Sequence, residues 1–196
     1  TLSLHDALPI CNTIFRTGWR KAMISIHLFD DADKLSAYTD RFGQLLSNCV
    51  HDGAAVSFLS PLTADDAAIW FRTNVLADVQ RKRSVIFFAL DEDELVGTVQ
   101  LIVGLPQNQP HRSEIAKMLV DPKYRRRGIG RALMQAALDK ARAEKKSLVT
   151  LDTRTGDVAE GLYASLGFQK AGVIPNYALD PDGQRFHSTT YMYKLI

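Results

Sequence analysis

The chain has 196 residues, with 24 lysines and arginines against 22 acidic residues, a net charge of +2, and 46% hydrophobic residues. That is enough for one domain with a substantial core, and the balance is neither that of a disordered segment nor that of a membrane protein. So small a basic excess argues against a nucleic-acid-binding domain, and no apolar run approaches the roughly 18 residues of a membrane-crossing helix.

Residues 1–22 lack the basic start and unbroken apolar run of a secretory leader. They read as a cloning-derived extension, so one domain is expected over 23–196 with Met23 as its natural start. After it, "ISIHLFD" reads as a first strand ending near Asp30. Asp31 or Asp33 then caps a helix whose apolar positions, Leu35, Tyr38, Phe42, Leu45, Leu46 and Val50, recur at three and four residues. "VSFLSPL" is expected to be a short extended piece, and Thr63 to cap a second helix through Ile69, Trp70, Val75 and Val79. "SVIFFAL" (84–90) and "LVGTVQLIVGL" (95–105), separated by "DEDE", predict an antiparallel hairpin. "SEIAKMLVD" (113–121) predicts a strand that stops before Pro122.

The segment Gly128-Ile129-Gly130 opens a helix with Ile129, Ala132, Leu133, Ala136, Ala137 and Ala141 on one face. A strand "SLVTLD", a short helix "VAEGLYASLG" that Gly167 closes, and the strands "FQKAGVI" and "TTYMYKL" complete the chain. This order predicts a mixed α/β domain with a largely antiparallel central sheet flanked by helices, not a doubly wound dinucleotide fold. Cys11 and Cys49 are too few and too distant for a disulfide framework or a zinc site. The five histidines have no metal-ligand spacing, so no metal is expected. Free thiols fit a reducing, cytoplasmic location.

The stretch "YRRRGIGRAL" carries four arginines and two glycines in eight residues after its tyrosine and has neither the GxGxxG nor the GxxxxGK[ST] spacing. At a helix start, however, the first amides have no intrahelical partner and carry the positive end of the helix dipole. Glycines at 128 and 130 let an anion approach the main chain, with arginine charge beside it. From these residues alone, an anion site and a solvated helix start are both open.

"VDPKYRRRGIGRALM" resembles the R/Q-x-x-G-x-G/A signature of the GCN5-related N-acetyltransferases (GNAT), with Arg125, Gly128 and Gly130 in the defining places. "LDTRTGDVAEGLYASLGFQKAG" is similar to the family's helix that brings Ala and Tyr ahead of Leu-Gly-Phe, although Gly156 stands where an Asn is frequent. Three further segments, "HRSEIAKMLVDP", "LDTRTGDVAEGLY" and "YALDPDGQRFHSTTYMYK", resemble the tabtoxin resistance group of that superfamily.

The resemblance implies the GNAT acyl-CoA N-acyltransferase fold, acetyl-CoA as donor and a primary amine as acceptor. Met118, Leu119, Val120 and the run Arg125, Arg126, Arg127, Gly128, Ile129, Gly130, Arg131 would then hold the coenzyme, with an amide near Leu119 facing the thioester. Tyr163 would give a proton to the departing sulfur, and Glu114 or Asp152 would take one from the amine. His111 and Arg112 would contact an acceptor, expected to be a small antibiotic or toxin amine. An aminoglycoside, a protein or peptide amine, and a non-catalytic acetyl-CoA sensor stay open, and a homodimer is expected.

Overall fold

The computed structural model describes residues 24–196; the expectations for 1–22, Cys11 among them, and for Met23 lie outside the described residues. Seven strands form one sheet in the order β1-β2-β3-β4-β5-β7-β6. They are β1 Ile24–Phe29, β2 Ser84–Asp91, β3 Glu94–Ile102, β4 Arg112–Val120, β5 Leu148–Arg154, β6 Gln169–Leu179 and β7 Phe186–Leu195. Every pairing is antiparallel except β4 with β5, which is parallel. The fold class is therefore the mixed, largely antiparallel α/β arrangement that the pattern predicts.

Helices cover both faces, which explains why β2 reads as an unbroken apolar run. Its Val85, Phe87 and Ala89 join one core with helix α5 (Ile129–Ala143). Its Ile86, Phe88 and Leu90 join a second core with α1 Ala32–Ser36, α2 Thr39–His51, α3 Ala64–Trp70 and α4 Ala77–Gln80. A strand buried on both faces loses the alternation that a half-exposed strand shows.

Four local expectations differ from the structure. The single helix expected over 31–51 breaks after α1, because Tyr38 turns its ring into the aromatic group of Phe29 and Phe88, 4.9 and 5.4 Å away. The segment "VSFLSPL" forms bends and irregular loop instead of a strand. The helix after Thr63 changes to a π-helical segment at Phe71–Leu76 before α4. The last two strands run longer than their apolar stretches, since β6 is exposed nearly throughout and shows no burial alternation.

The sheet divides where the site lies. β4 and β5 pair only over Arg112–Glu114 and Leu148–Thr150, while β5 stays on β7 as far as Arg154. Beyond Glu114 the two parallel strands diverge and leave a wedge between them.

Candidate active site

A bulge in β4 sets the geometry of the wedge. Thr98 faces Leu119 and Gln100 faces Ala116, so Lys117 and Met118 together oppose one residue of β3. Lys117 takes φ 48° to accommodate the extra residue. The strand changes face there: Ile115 belongs to the core under α5, whereas Leu119 belongs to the core under α1–α4. Asp121 donates its amide to Val96 of β3. The alternation of N–H directions then sends the Leu119 amide into the same ladder and turns those of Met118 and Val120 toward the wedge. The amides facing the cleft are thus the neighbours of Leu119.

A cleft of roughly 990 Å³ follows the wedge, lined by Ile115–Val120 of β4, Leu151–Arg154 of β5, the turn after β4 and helix α6 (Val158–Ser165). Gly128 caps α5 at φ 81°, in the left-handed region that costs a residue with a side chain most. The amides of Arg125 through Arg131 make no hydrogen bond among the described residues; the first α5 bond from this end is Ala132 N–H to Gly128 O, 3.1 Å. A Cβ at Gly130 would lie 3.2 Å from Leu162 Cδ2 and 3.6 Å from Met118 Sδ, so any larger residue narrows the passage between α6 and β4. Free amides at a helix start, opened by two glycines, fit a diphosphate.

The arginines divide. Arg125 pairs with Asp52 at the end of α2 and reaches Val120 O, so it ties the turn to the helix layer. Arg131 donates to Ser165 Oγ at 2.7 Å, and Arg126 lines the cleft exposed. Arg127 does not line it; its guanidinium lies 4.8 Å above the Tyr124 ring. Ile129 is buried and belongs to the α5 core. Cys49 is also buried, its thiol pushed up to about 12 mainly by desolvation, and Sγ contacts Val120 O at 3.6 Å.

Tyr163 of α6 borders the cleft with 5% exposure, its ring edge-on to Phe168. Burial, then the charges of Asp157 and Asp152, push its phenol well above the ordinary range. Asp152 lines the cleft and a second cavity, and its Oδ2 lies 3.1 Å from Thr189 Oγ1. Glu114 is held by Arg112 at 3.2 Å, and that guanidinium also donates to Thr150 Oγ1 at 2.7 Å and Gln109 Oε1 at 3.0 Å. His111 is exposed; neither it nor Arg112 or Glu114 lines either cavity.

The second cavity, about 460 Å³, adjoins the cleft at Asp152, Thr153 and Arg154. The loop residues Ala55, Ser57, Phe58 and Leu59 form one wall, and Tyr177, Leu179, Phe186 and His187 of β6 and β7 form the other. Ser60 N–H donates to Pro181 O at 2.7 Å, joining the loop to the β6–β7 turn. Asp180 forms an ion pair with Arg154 at 3.0 Å and lies 3.1 Å from His187 Nδ1. The sequence reading missed this wall and missed Lys117. One signal was present: a lysine inside the apolar run "AKMLV" has no room in a regular buried strand.

A family model described as Acetyltransferase (GNAT) family matches residues 48–168. The chain belongs to that family. Acetyl-CoA is the family's donor, and the free amides, Gly130 and the wedge described above are the residues that would hold it.

The chain is 42% identical over 77 residues to N-alpha-acetyltransferase RimI of Mycobacterium tuberculosis, a match covering 39% of this chain and 47% of that protein. It is 36% identical over 96 residues to human N-acetyltransferase 8, covering 48% of this chain and 42% of that protein. It thus spans less than half the length of these curated relatives. Among solved structures, a ribosomal-protein-alanine N-acetyltransferase of Brucella melitensis superposes with TM-score 0.69 at 21% identity, covering 82% of this chain and 96% of that one. A putative acetyltransferase of Salmonella typhimurium, solved with acetyl-CoA, gives TM-score 0.69 at 17% identity over 88% of this chain and 93% of that one. These structural likenesses establish the GNAT fold. No helix among the described residues is long and apolar enough to cross a membrane.

Proposed function

We propose that this GNAT protein transfers acetyl from acetyl-CoA to a primary amine of a small molecule of the antibiotic or toxin kind. Bound along the wedge, acetyl-CoA supplies the activated acetyl group and a thiol leaving group. The amides of Met118 and Val120 donate to an oxygen that gains negative charge there, with no reorganisation of the main chain. Asp152 accepts the amine's proton, its carboxylate held by Thr189 at 3.1 Å. Tyr163, whose burial keeps its phenol protonated, donates to the departing sulfur. The free amides from Arg126 to Arg131 bind the diphosphate, with Arg126 adding charge from the rim.

The observation that supports a small acceptor is the tie between Ser60 and Pro181. It joins the two walls of the half-open 460 Å³ cavity beside Asp152, a volume of small-molecule size. The segments similar to tabtoxin resistance acetyltransferases favour a zwitterionic toxin over an aminoglycoside.

A second reading, acetylation of a protein N-terminus, is favoured by the relatives named as ribosomal-protein-alanine acetyltransferases. Thiol release measured over aminoglycosides, small amino-acid toxins and alanine-terminated peptides separates the accounts. Faster turnover of a small amine is the expected result. Faster turnover of the peptides overturns it, and coenzyme binding with no acceptor-dependent thiol release would point to an acetyl-CoA sensor.

A further inference from the structure

We infer that Lys117 binds a carboxylate of the acceptor, so that the site takes amino-acid-like molecules carrying an amine and a carboxylate together. This rests on the small-molecule reading above and narrows it.

The argument begins with which cations in the cleft are already engaged. Arg125 is paired with Asp52 and Arg154 with Asp180. Arg126 and Arg131 belong to the turn at the start of α5, where the coenzyme's own anionic groups would lie. Lys117 remains. It lines the cleft, and no carboxylate lies within ion-pairing distance of it among the described residues.

The bulge accounts for its position. With φ at 48°, Lys117 leaves the face of Ile115 and carries its side chain toward the α1–α4 layer, where Nζ lies 5.4 Å from the Trp70 ring centre. The ammonium thus stands over the indole face in a cation–π contact, which holds the charge at the back of the cleft without neutralising it. Burial lowers the lysine's pKa, and the charge of Asp152 opposes that fall. An incoming carboxylate would favour the charged form further, restoring what desolvation removes.

Asp152 supplies the complementary element. Among the described residues no basic side chain lies within ion-pairing distance of it, and its side-chain hydrogen bond comes from the Thr189 hydroxyl. An acceptor with its amine at Asp152 and its carboxylate at Lys117 satisfies both groups at once. A polycationic aminoglycoside would meet Lys117 as a like charge in a partly desolvated site, which is costly. Lys117 therefore acts as a specificity-determining residue, and its cation belongs to acceptor recognition.

The test uses glycine, β-alanine, γ-aminobutyrate, ornithine and lysine, each beside its methyl ester, with wild-type protein, Lys117→Met and Lys117→Arg. Methionine keeps an unbranched apolar side chain beside Trp70 and removes the charge, and acetyl-CoA binding by calorimetry checks that each variant is folded. Turnover and Trp70 fluorescence are both read, the latter with Trp19→Phe in the background so that one tryptophan remains. The inference expects at least one acid to be preferred over its ester. Lys117→Met should raise KM for that acid roughly 10- to 100-fold, the range for losing a charged hydrogen bond, and leave KM for the ester and kcat nearly unchanged. Lys117→Arg should restore part of the preference, and the acid, not the ester, should perturb Trp70 fluorescence. Equal use of acid and ester by the wild type, or a preference that survives Lys117→Met, overturns the inference and leaves the small-molecule reading intact. Neither turnover nor a fluorescence response with any of these amines, beside turnover of alanine-terminated peptides, overturns both.

Discussion

The side of the cleft proposed for the coenzyme is made of main chain that is nearly contiguous: the β4 bulge, the turn after Pro122 and the first turn of α5 all fall within residues 117–131. The side proposed for the acceptor is made of side chains from separate parts of the chain, with Phe58 from the loop after α2, Asp152 from β5, Tyr177 from β6 and His187 from β7. The first kind of site is fixed by local backbone conformation and binds what every family member binds. The second depends on long-range packing and can vary without disturbing the first. The difference predicts that backbone changes damage coenzyme use, whereas side-chain changes across the wedge alter the reaction or its acceptor.

The largest effect is expected on the backbone side. Gly130→Val places branched carbon where Leu162 and Met118 leave little space. It should lower kcat/KM for acetyl-CoA roughly 100-fold, as ångström-scale misplacement does. Unchanged affinity in calorimetry would break the comparison at its root.

Next come the proton-transfer groups. Tyr163→Phe should lower kcat about 100-fold or more, in the range of general acid catalysis, with the coenzyme Kd little changed. Burial raises this phenol above its ordinary value. It is fully protonated below that value and is lost as a donor only as pH rises through its folded one. The wild-type pH profile should therefore show no alkaline loss from Tyr163 below about pH 10, the usual phenol value. An alkaline limb near pH 8 that disappears in Tyr163→Phe would contradict the assignment.

Comparison of the two carboxylates comes third. Asp152→Asn should lower kcat by about 100-fold, and Glu114→Gln by a few-fold at most, since Glu114 is held by Arg112 and lines neither cavity. Equal losses would return Glu114 to consideration as the base. The smallest effect is expected at Arg126→Ala. This exposed cation contributes on the order of 1 kcal/mol or less in high dielectric, so the coenzyme KM should rise only a few-fold and the difference should shrink with added salt.

The same contrast explains how much was legible in the sequence. The strands 84–90 and 113–121 and the helix after Gly128 declare themselves through local pattern, and so does the turn proposed to bind the coenzyme's anion, because free amides and glycine conformations are properties of contiguous residues. The acceptor wall does not. Nothing near Ser60 in the sequence indicates Pro181, and the run "VSFLSPL" looks like a strand because Val56, Phe58 and Leu62 pack against the α1–α4 core. Arg112 attracts attention as a loop cation, yet its guanidinium is taken up by Gln109, Glu114 and Thr150. The bulge at Lys117 was partly visible as a lysine in an apolar strand, but the change of face between Ile115 and Leu119 required the register with β3.

Amide hydrogen exchange with and without coenzyme A tests the central claim most directly, read residue by residue by NMR. The account predicts that binding slows exchange at the amides of Arg126 through Arg131 and at Met118 and Val120, while the β6–β7 wall changes little. Protection confined to the β6–β7 wall, with the amides around Ile129 still exchanging freely, would contradict it.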